Sequence, residues 1–410
     1  MGGLTYSFPY LIVLAILVGL QFIDFRNRLF GRDSWIVNGC ALLVLLIFLG
    51  LRGFVLTDWL VYYPLFDKMP TFWEGGILSA LKPDFMDQFT TDETIGKPGT
   101  ELGFIYFTML FKSIIPEYHA WVFFNTCINL LLLSVFLKRH SNYFILGLIF
   151  FFLFDGMALE FNLMRNIKAI LLFLLSLNYL KERRIVPYML LNILGFYFHS
   201  SALLFLPLYF LLHKEWNPKI YWTIFIVGVL ILLLQITYVA PLLTWLGGMV
   251  GGRLSVLVDL YLMSDLYGGA YGLFHFGYLE RVFTFCVLMI YRKQLLEQNE
   301  GNVLFINLFM IFFIIYFYFS EVTVITERVP LLFVAAYWVL YPNIYALIEH
   351  KLNKVFFLAI LLLYALVKLV NANSNVLAKY DNVLFGIESY ENRYDTFINS
   401  YDQIVNKDEE

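Results

Sequence analysis

The chain has 410 residues, of which 60% are hydrophobic, 19% aromatic and only 14% charged, a balance that leaves too much apolar surface for a soluble domain. A net charge of −3 gives no basis for a nucleic-acid partner or for general attraction to anionic lipid. The sequence therefore reads as an all-α polytopic membrane protein.

The opening residues Met1–Ser7 carry no basic flank and no small-residue cleavage site follows, so the first apolar run reads as a retained span. Apolar runs near 7–23, 35–51, 120–137, 143–158, 165–180, 186–199, 201–212, 220–239, 275–291, 303–320, 328–347 and 354–371 predict about twelve transmembrane helices. Several are shorter than a usual span, and Pro207 removes a backbone donor inside one of them.

Short basic loops set the orientation. Arg26, Arg28 and Arg32, then Lys138 and Arg139, Lys181 to Arg184, Lys214 and Lys219, Arg292 and Lys293, and Lys351 and Lys354 mark the cytoplasmic side. The loops 52–100, 155–164, 199–200, 240–274 and 321–327 and both termini then fall outside. Residues 52–101 hold eight acids against four bases, and 371–410 eight against three, in keeping with that side. A full crossing by 101–115 would force the Lys138–His140 loop outside, so this stretch reads as an outer-face half-helix; a thirteenth span with one exception to the charge rule is the alternative. One transmembrane domain is expected over 1–371, with loops 52–118 and 240–274 covering a site. A polar tail, 372–410, is expected on the outer side, peripheral or partly disordered.

The awkward ionisable groups map to the outer half. Asn162, Arg165 and Lys168 fall at i, i+3, i+6 of one helix face, although a central cation costs about 2.5–3.5 kcal/mol on insertion scales. Such a face suits a phosphate-bearing ligand. Asp58, Glu101, Asp155, Glu160, His199, the pair Glu280 and Arg281, and the pair Glu327 and Arg328 join it at span ends. For each acid–base neighbour the plainer reading is a helix-end ion pair or a snorkelling side chain. The Gly-rich stretch 240–274, with Gly pairs around Arg253, reads as an amphipathic lid or as simple GxxxG-like packing. A neutral His199 could accept a proton from a hydroxyl, while Ser200 and Ser201 suit a helix N-cap. No Asp-x-Asp, P-loop, GxSxG or HExxH occurs, so no metal or cofactor is expected. Cys40, Cys127 and Cys286 lie within apolar runs and read as packing residues.

Four short motifs carry a resemblance: DxxxYYPLF (Asp58, Tyr62, Phe66), ELGF (Glu101 to Phe104), NxxRNxxA (Asn162, Arg165, Ala169) and FHSSALLFLPL (Phe198 to Leu208). In their order and hydrophobic framing over roughly 50–340 the chain resembles the EpsG family of Wzy-type bacterial polysaccharide polymerases. It departs at Asn166, where that family usually has Gln. The resemblance implies a GT-C-type membrane glycosyltransferase on the outer face of the bacterial cytoplasmic membrane, acting on undecaprenyl-diphosphate-linked oligosaccharide for O-antigen, capsule or exopolysaccharide. Its partners would be membrane lipid, a chain-length regulator and a flippase. On that reading Arg165, Lys168, Arg281, Arg328 and Arg253 are candidates for a diphosphate clamp. His199 is the first candidate base and Glu101 or Asp58 the second. Asn162, Tyr62 and Trp59 are candidates for substrate contact, the aromatics being equally suited to a membrane-interface belt. A ligase moving finished glycan, or a flippase or transporter of lipid-linked sugar, would use similar residues.

Overall fold

The computed structural model describes residues 2–76, 101–252 and 276–405, and they are helical apart from turns and two isolated bridges, Arg52 with Asn382 and Asn382 with Gly386. Among these residues Leu4–Leu29, Tyr118–His140 and Lys351–Ala372 are each long and apolar enough to cross a bilayer. Two bent pairs, Phe144–Leu153 with Gly156–Asn162 (58°) and Thr323–Phe333 with Ala335–Leu347 (57°), bring the number to five. The protein is a multi-pass membrane protein by composition, but a count of twelve does not follow from helix length. Seven further apolar helices among the described residues have only 10–17 residues, at most about 25 Å long at 1.5 Å per residue against a hydrocarbon core of ~30 Å.

Backbone irregularities mark several of the apolar runs. A five-residue π turn, Leu46–Gly50, follows the helix Trp35–Leu45, and Asp155 takes a left-handed conformation (φ 61°) between Phe144–Leu153 and Gly156–Asn162. Pro207 lies in a 3₁₀ helix, Ser200–Phe210. The stretch 101–115 is a thirteen-residue helix, Leu102–Ile114, roughly 20 Å long.

The chain divides into two compact units, Met1–Leu206 with His350–Glu410, and Pro207–Glu349, where the sequence suggests one transmembrane domain and a separate tail. In the first unit the loops fall at two ends. At one, Arg28 Nη1 donates to the Asn142 carbonyl (3.0 Å) and its guanidinium covers the Tyr143 ring. At the other, Ser7 Oγ donates to the Asn373 carbonyl (3.1 Å) and Tyr10 OH to that of Ala378 (2.8 Å). An aromatic core there joins Phe54, Trp59, Tyr62 and Phe66 to Phe104, Tyr118, Trp121 and Met164, with Phe198, Tyr390 and Phe397 packed against it.

The tail is folded rather than peripheral. Unpaired backbone groups at 51–56 need partners, and the tail supplies them: Val383 N–H donates to Leu51 O (2.8 Å) and Leu56 N–H to Leu377 O (2.9 Å). Arg393 is buried, donating through Nε to Phe54 O (2.8 Å) and through Nη1 to Glu388 (3.2 Å). A Cβ on Gly53 would stand 2.1 Å from Asp381 Oδ1, so any other residue there displaces the Asp381 side chain.

In the second unit Phe225 stacks on Phe285 at 4.1 Å, with Phe313 beside them. The Glu321 carboxylate accepts the N–H groups of Tyr238, Val239 and Ala240 at 2.7–3.2 Å, capping the helix Val239–Val250. Gly251 and Gly252 end that helix with left-handed φ of 64° and 59°. The remainder of the lid expected over 240–274, Arg253 included, lies outside the described residues. All three cysteines are free, and Cys40 is exposed.

Candidate functional site

Three segments meet at the tail-bearing end of the first unit. The first is the start of Leu102–Ile114, where Glu101 stands at the N-cap without bonding its own helix. An N-cap carboxylate ordinarily turns back to the N–H groups of its first turn. Here it points away: Oε2 accepts from Arg165 Nη1 (2.9 Å) and Oε1 from the Ser200 N–H (3.1 Å). Gly103 makes this approach possible, since a Cβ there would lie 2.8 Å from Tyr197 Cβ and from the Tyr197 carbonyl.

The second segment is the start of Met164–Lys181. Leu163 breaks the chain between Gly156–Asn162 and this helix, so Asn162 does not share a helical face with Arg165 as the spacing suggests. Asn162 Oδ1 instead accepts, at 3.4 and 3.5 Å, from the N–H groups of Thr57 and Asp58 and braces the Asp58 turn. Asp58 lies within electrostatic reach of Arg165. Arg165 Nε is buried and has no hydrogen-bond partner among the described residues.

The third is the link between Ile185–Phe198 and Ser200–Phe210. His199 Nε2 stands 3.8 Å from Glu101 Oε1. Its Nδ1 is 2.8 Å from Ser201 Oγ, which donates to Asn166 Oδ1 at 2.8 Å. With the hydroxyl proton used on Asn166, the ring donates through Nδ1 and keeps a lone pair on Nε2. A weaker contact, from the Ser201 N–H to Nδ1 at 3.2 Å, favours the other tautomer; the two shorter bonds decide. Burial pushes the Glu101 carboxyl up, with Arg165 and the Ser200 N–H acting against that. The two helices that carry these groups pack through small residues: Gly195 faces Ala169 and Ala202, and a Cβ on it would make ordinary contact (3.4 Å) with both.

Glu101, Arg165 and His199 are thus brought together, with Asp58 nearby. Lys168, a turn deeper and buried, donates to the Met164 carbonyl at 3.4 Å, lies over the Phe107 ring and interacts electrostatically with Glu160. Trp59 and Tyr62 are core residues, 4% and 3% exposed. Trp59 donates to Leu56 O (2.8 Å) and packs on Phe54 and Tyr390, and Tyr62 packs on Phe104. Neither ring is open to a sugar face. Arg281 belongs to the second unit, where it pairs with Glu280 at 3.5 Å and lies over Tyr316. Arg328 is exposed at the end of Thr323–Arg328 in that unit.

Two participants and one buried cation outside the site escape the sequence reading. Asn166 and Ser201 orient the imidazole, and neither has a spacing that signals it. Arg52 is buried, donating to Glu160 O (2.7 Å), to Leu49 O and more weakly to Thr126 Oγ1 (3.5 Å). Its one sequence signal is a lone cation closing an apolar run.

The motifs on these segments are those of a known family, and the sequence profile of the EpsG family matches residues 35–382. The chain belongs to the EpsG family. No curated protein and no solved structure matches it. Family membership gives this EpsG-family protein a polysaccharide-polymerase type of role. The matched region contains all three segments of the site.

Proposed function

We propose that this EpsG-family protein is a GT-C-type glycosyltransferase that polymerises polysaccharide on the outer face of the bacterial cytoplasmic membrane. The growing chain passes from undecaprenyl diphosphate to the non-reducing end of another lipid-linked repeat unit. The observation that carries this reading is the convergence of Arg165 and His199, from different helices, on the single carboxylate of Glu101.

The chemistry asks for little more. The diphosphate is already a good leaving group, so the protein must hold the reactants and neutralise charge that develops on departure. In the proposed step the acceptor hydroxyl oxygen attacks the anomeric carbon and the bond from that carbon to the diphosphate oxygen breaks. The electron pair leaves on the diphosphate and the hydroxyl proton passes to His199 Nε2. Glu101 then faces an imidazolium at 3.8 Å and stabilises it. Arg165 is bonded to Glu101 through Nη1 and also to the Tyr62 side chain, and its Nε–H, unpartnered among the described residues, is the group it offers first to phosphate oxygens. Lys168 adds positive potential from below. Arg165 and Lys168 are the clamp residues of the first unit; Arg281, in the second, pairs with Glu280.

The test is incubation of the purified full-length protein with defined lipid-linked repeat units. A ladder of products is the expected result. Translocation of units across vesicles without any elongation would overturn the proposal in favour of a flippase, and a single transfer to a different lipid acceptor would point to a ligase.

A further inference from the structure

At the end of the first unit away from Glu101 lies a pocket of about 420 Å³ lined by Arg28, Arg32, Asp33, Ser34, Asn38 and Lys138 among others. Tyr10, bound to the tail at the site end, and Arg28 lie on one helix, separated by roughly 27 Å at 1.5 Å per residue. The pocket is therefore distinct from the site described above. Its size lies within the range of small-ligand pockets, about 300–1,000 Å³.

The charges in it do not cancel. Arg28 Nε pairs with the buried Asp24 at 2.9 Å, which removes both from the balance. Arg32 and Lys138 remain against Asp33, a surplus of one positive charge. Arg32 lies over the Phe30 ring and Lys138 over that of Phe144, contacts that leave the N–H groups of both side chains able to donate. Two shielded polar atoms, Ser34 Oγ and Asn38 Oδ1, have no hydrogen-bond partner among the described residues. Shielded polar groups left unpaired are unfavourable, so an occupant that bonds them is favoured. Beside the pocket Leu29, Phe30, Trp35 and Ile36 are 85%, 66%, 73% and 59% exposed. Apolar side chains in that setting, with an indole among them, suit the boundary between headgroups and acyl chains.

We propose that this pocket binds the phosphodiester headgroup of an anionic membrane lipid. One phosphodiester carries the single negative charge that balances Arg32, Lys138 and Asp33. Ser34 Oγ donates to a phosphate oxygen, Asn38 Oδ1 accepts from a headgroup hydroxyl, and the acyl chains run along Trp35 and Ile36. The predicted cytoplasmic side of these loops agrees with basic pockets that take acidic lipid there.

The experiment uses the full chain in phosphatidylcholine nanodiscs with trace brominated phosphatidylglycerol or, separately, brominated phosphatidylcholine. Quenching of Trp35 is isolated as the difference between wild type and Trp35→Phe. The expected result is at least threefold stronger quenching by phosphatidylglycerol in wild type, falling to parity in Arg32→Ala/Lys138→Ala and kept in Arg32→Lys/Lys138→Arg. Equal quenching by the two lipids in wild type overturns the proposal without recourse to any variant. Free glycerol phosphate is added as a competitor at millimolar concentration: loss of the preference makes a soluble phosphate ester the occupant and overturns the lipid assignment, and its persistence supports the lipid.

Discussion

Each unit contains an arginine on a glutamate, and the two pairs differ in how they are assembled, how exposed they are and how fully the carboxylate is bonded. Glu280 and Arg281 are sequence neighbours with side chains 3% and 10% exposed. The Glu280 carboxylate is also bonded by Tyr341 OH (2.6 Å), Thr284 Oγ1 (2.7 Å) and Tyr337 OH (3.3 Å). Arg281 Nη1 donates to Gly277 O at 2.6 Å and the guanidinium lies 3.6 Å from the Tyr316 ring centre. Such a carboxylate has no room for a newcomer. Glu101 and Arg165 come from segments 64 residues apart, Arg165 keeps 29% of its side chain exposed, and His199 shares the carboxylate. A pair made within one helix, its carboxylate fully bonded, holds a fold together, whereas a more exposed one assembled from three segments at a bundle end can exchange partners with a ligand.

Arginine-to-alanine changes break the comparison most sharply. Arg165→Ala is expected to lower elongation by about 10³-fold or more, the order seen when an arginine that stabilises charge on a transferring phosphate centre is lost, with insertion and thermal unfolding close to wild type. Normal amounts of long glycan would remove Arg165 from the clamp. His199→Ala comes next, with elongation down about 10²–10⁴-fold for loss of a general base and binding of the lipid-linked donor retained. If donor binding falls in parallel with rate, His199 is holding substrate and the base passes to Asp58 or Glu101. Arg281→Ala should act on stability: it strands the buried Glu280, at a cost of about 3–5 kcal/mol, read as a fall in the unfolding midpoint in detergent. An unchanged midpoint with lost elongation would make the second pair functional too and erase the distinction.

The sequence discloses one side of this contrast better than the other. Arg165 and His199 stand out because a charged group at the end of an apolar run costs free energy, and Glu101 because it opens a run too short to span. What remains hidden is what depends on distant contacts. Arg393 donates to Phe54 from 339 residues away, and nothing periodic in a polar tail announces that it will fold onto 51–56. The break at Leu163 is equally silent, since Asn162, Leu163 and Met164 contain neither Gly nor Pro, and only the bracing of Asp58 by Asn162 gives it a purpose. Hydropathy marks where the chain is apolar but does not register the left-handed Asp155 that bends one run into the two helices Phe144–Leu153 and Gly156–Asn162.

The smallest effect is the most specific. Ser201 touches no reacting atom in the proposed step; it fixes which imidazole nitrogen carries the proton through two 2.8 Å bonds, to His199 Nδ1 and to Asn166 Oδ1. Ser201→Ala removes one hydrogen bond to a neutral ring, worth about 0.5–1.5 kcal/mol, so elongation should fall only about two- to tenfold, with donor KM unchanged. Ser201→Thr, which keeps the hydroxyl, should restore most of the rate. A helix cap in the ordinary sense would instead show a lower unfolding midpoint in Ser201→Ala and no change in turnover per folded molecule. That outcome would leave His199 without an orienting partner and return its environment to the kind seen around Glu280, where polar contacts serve packing alone.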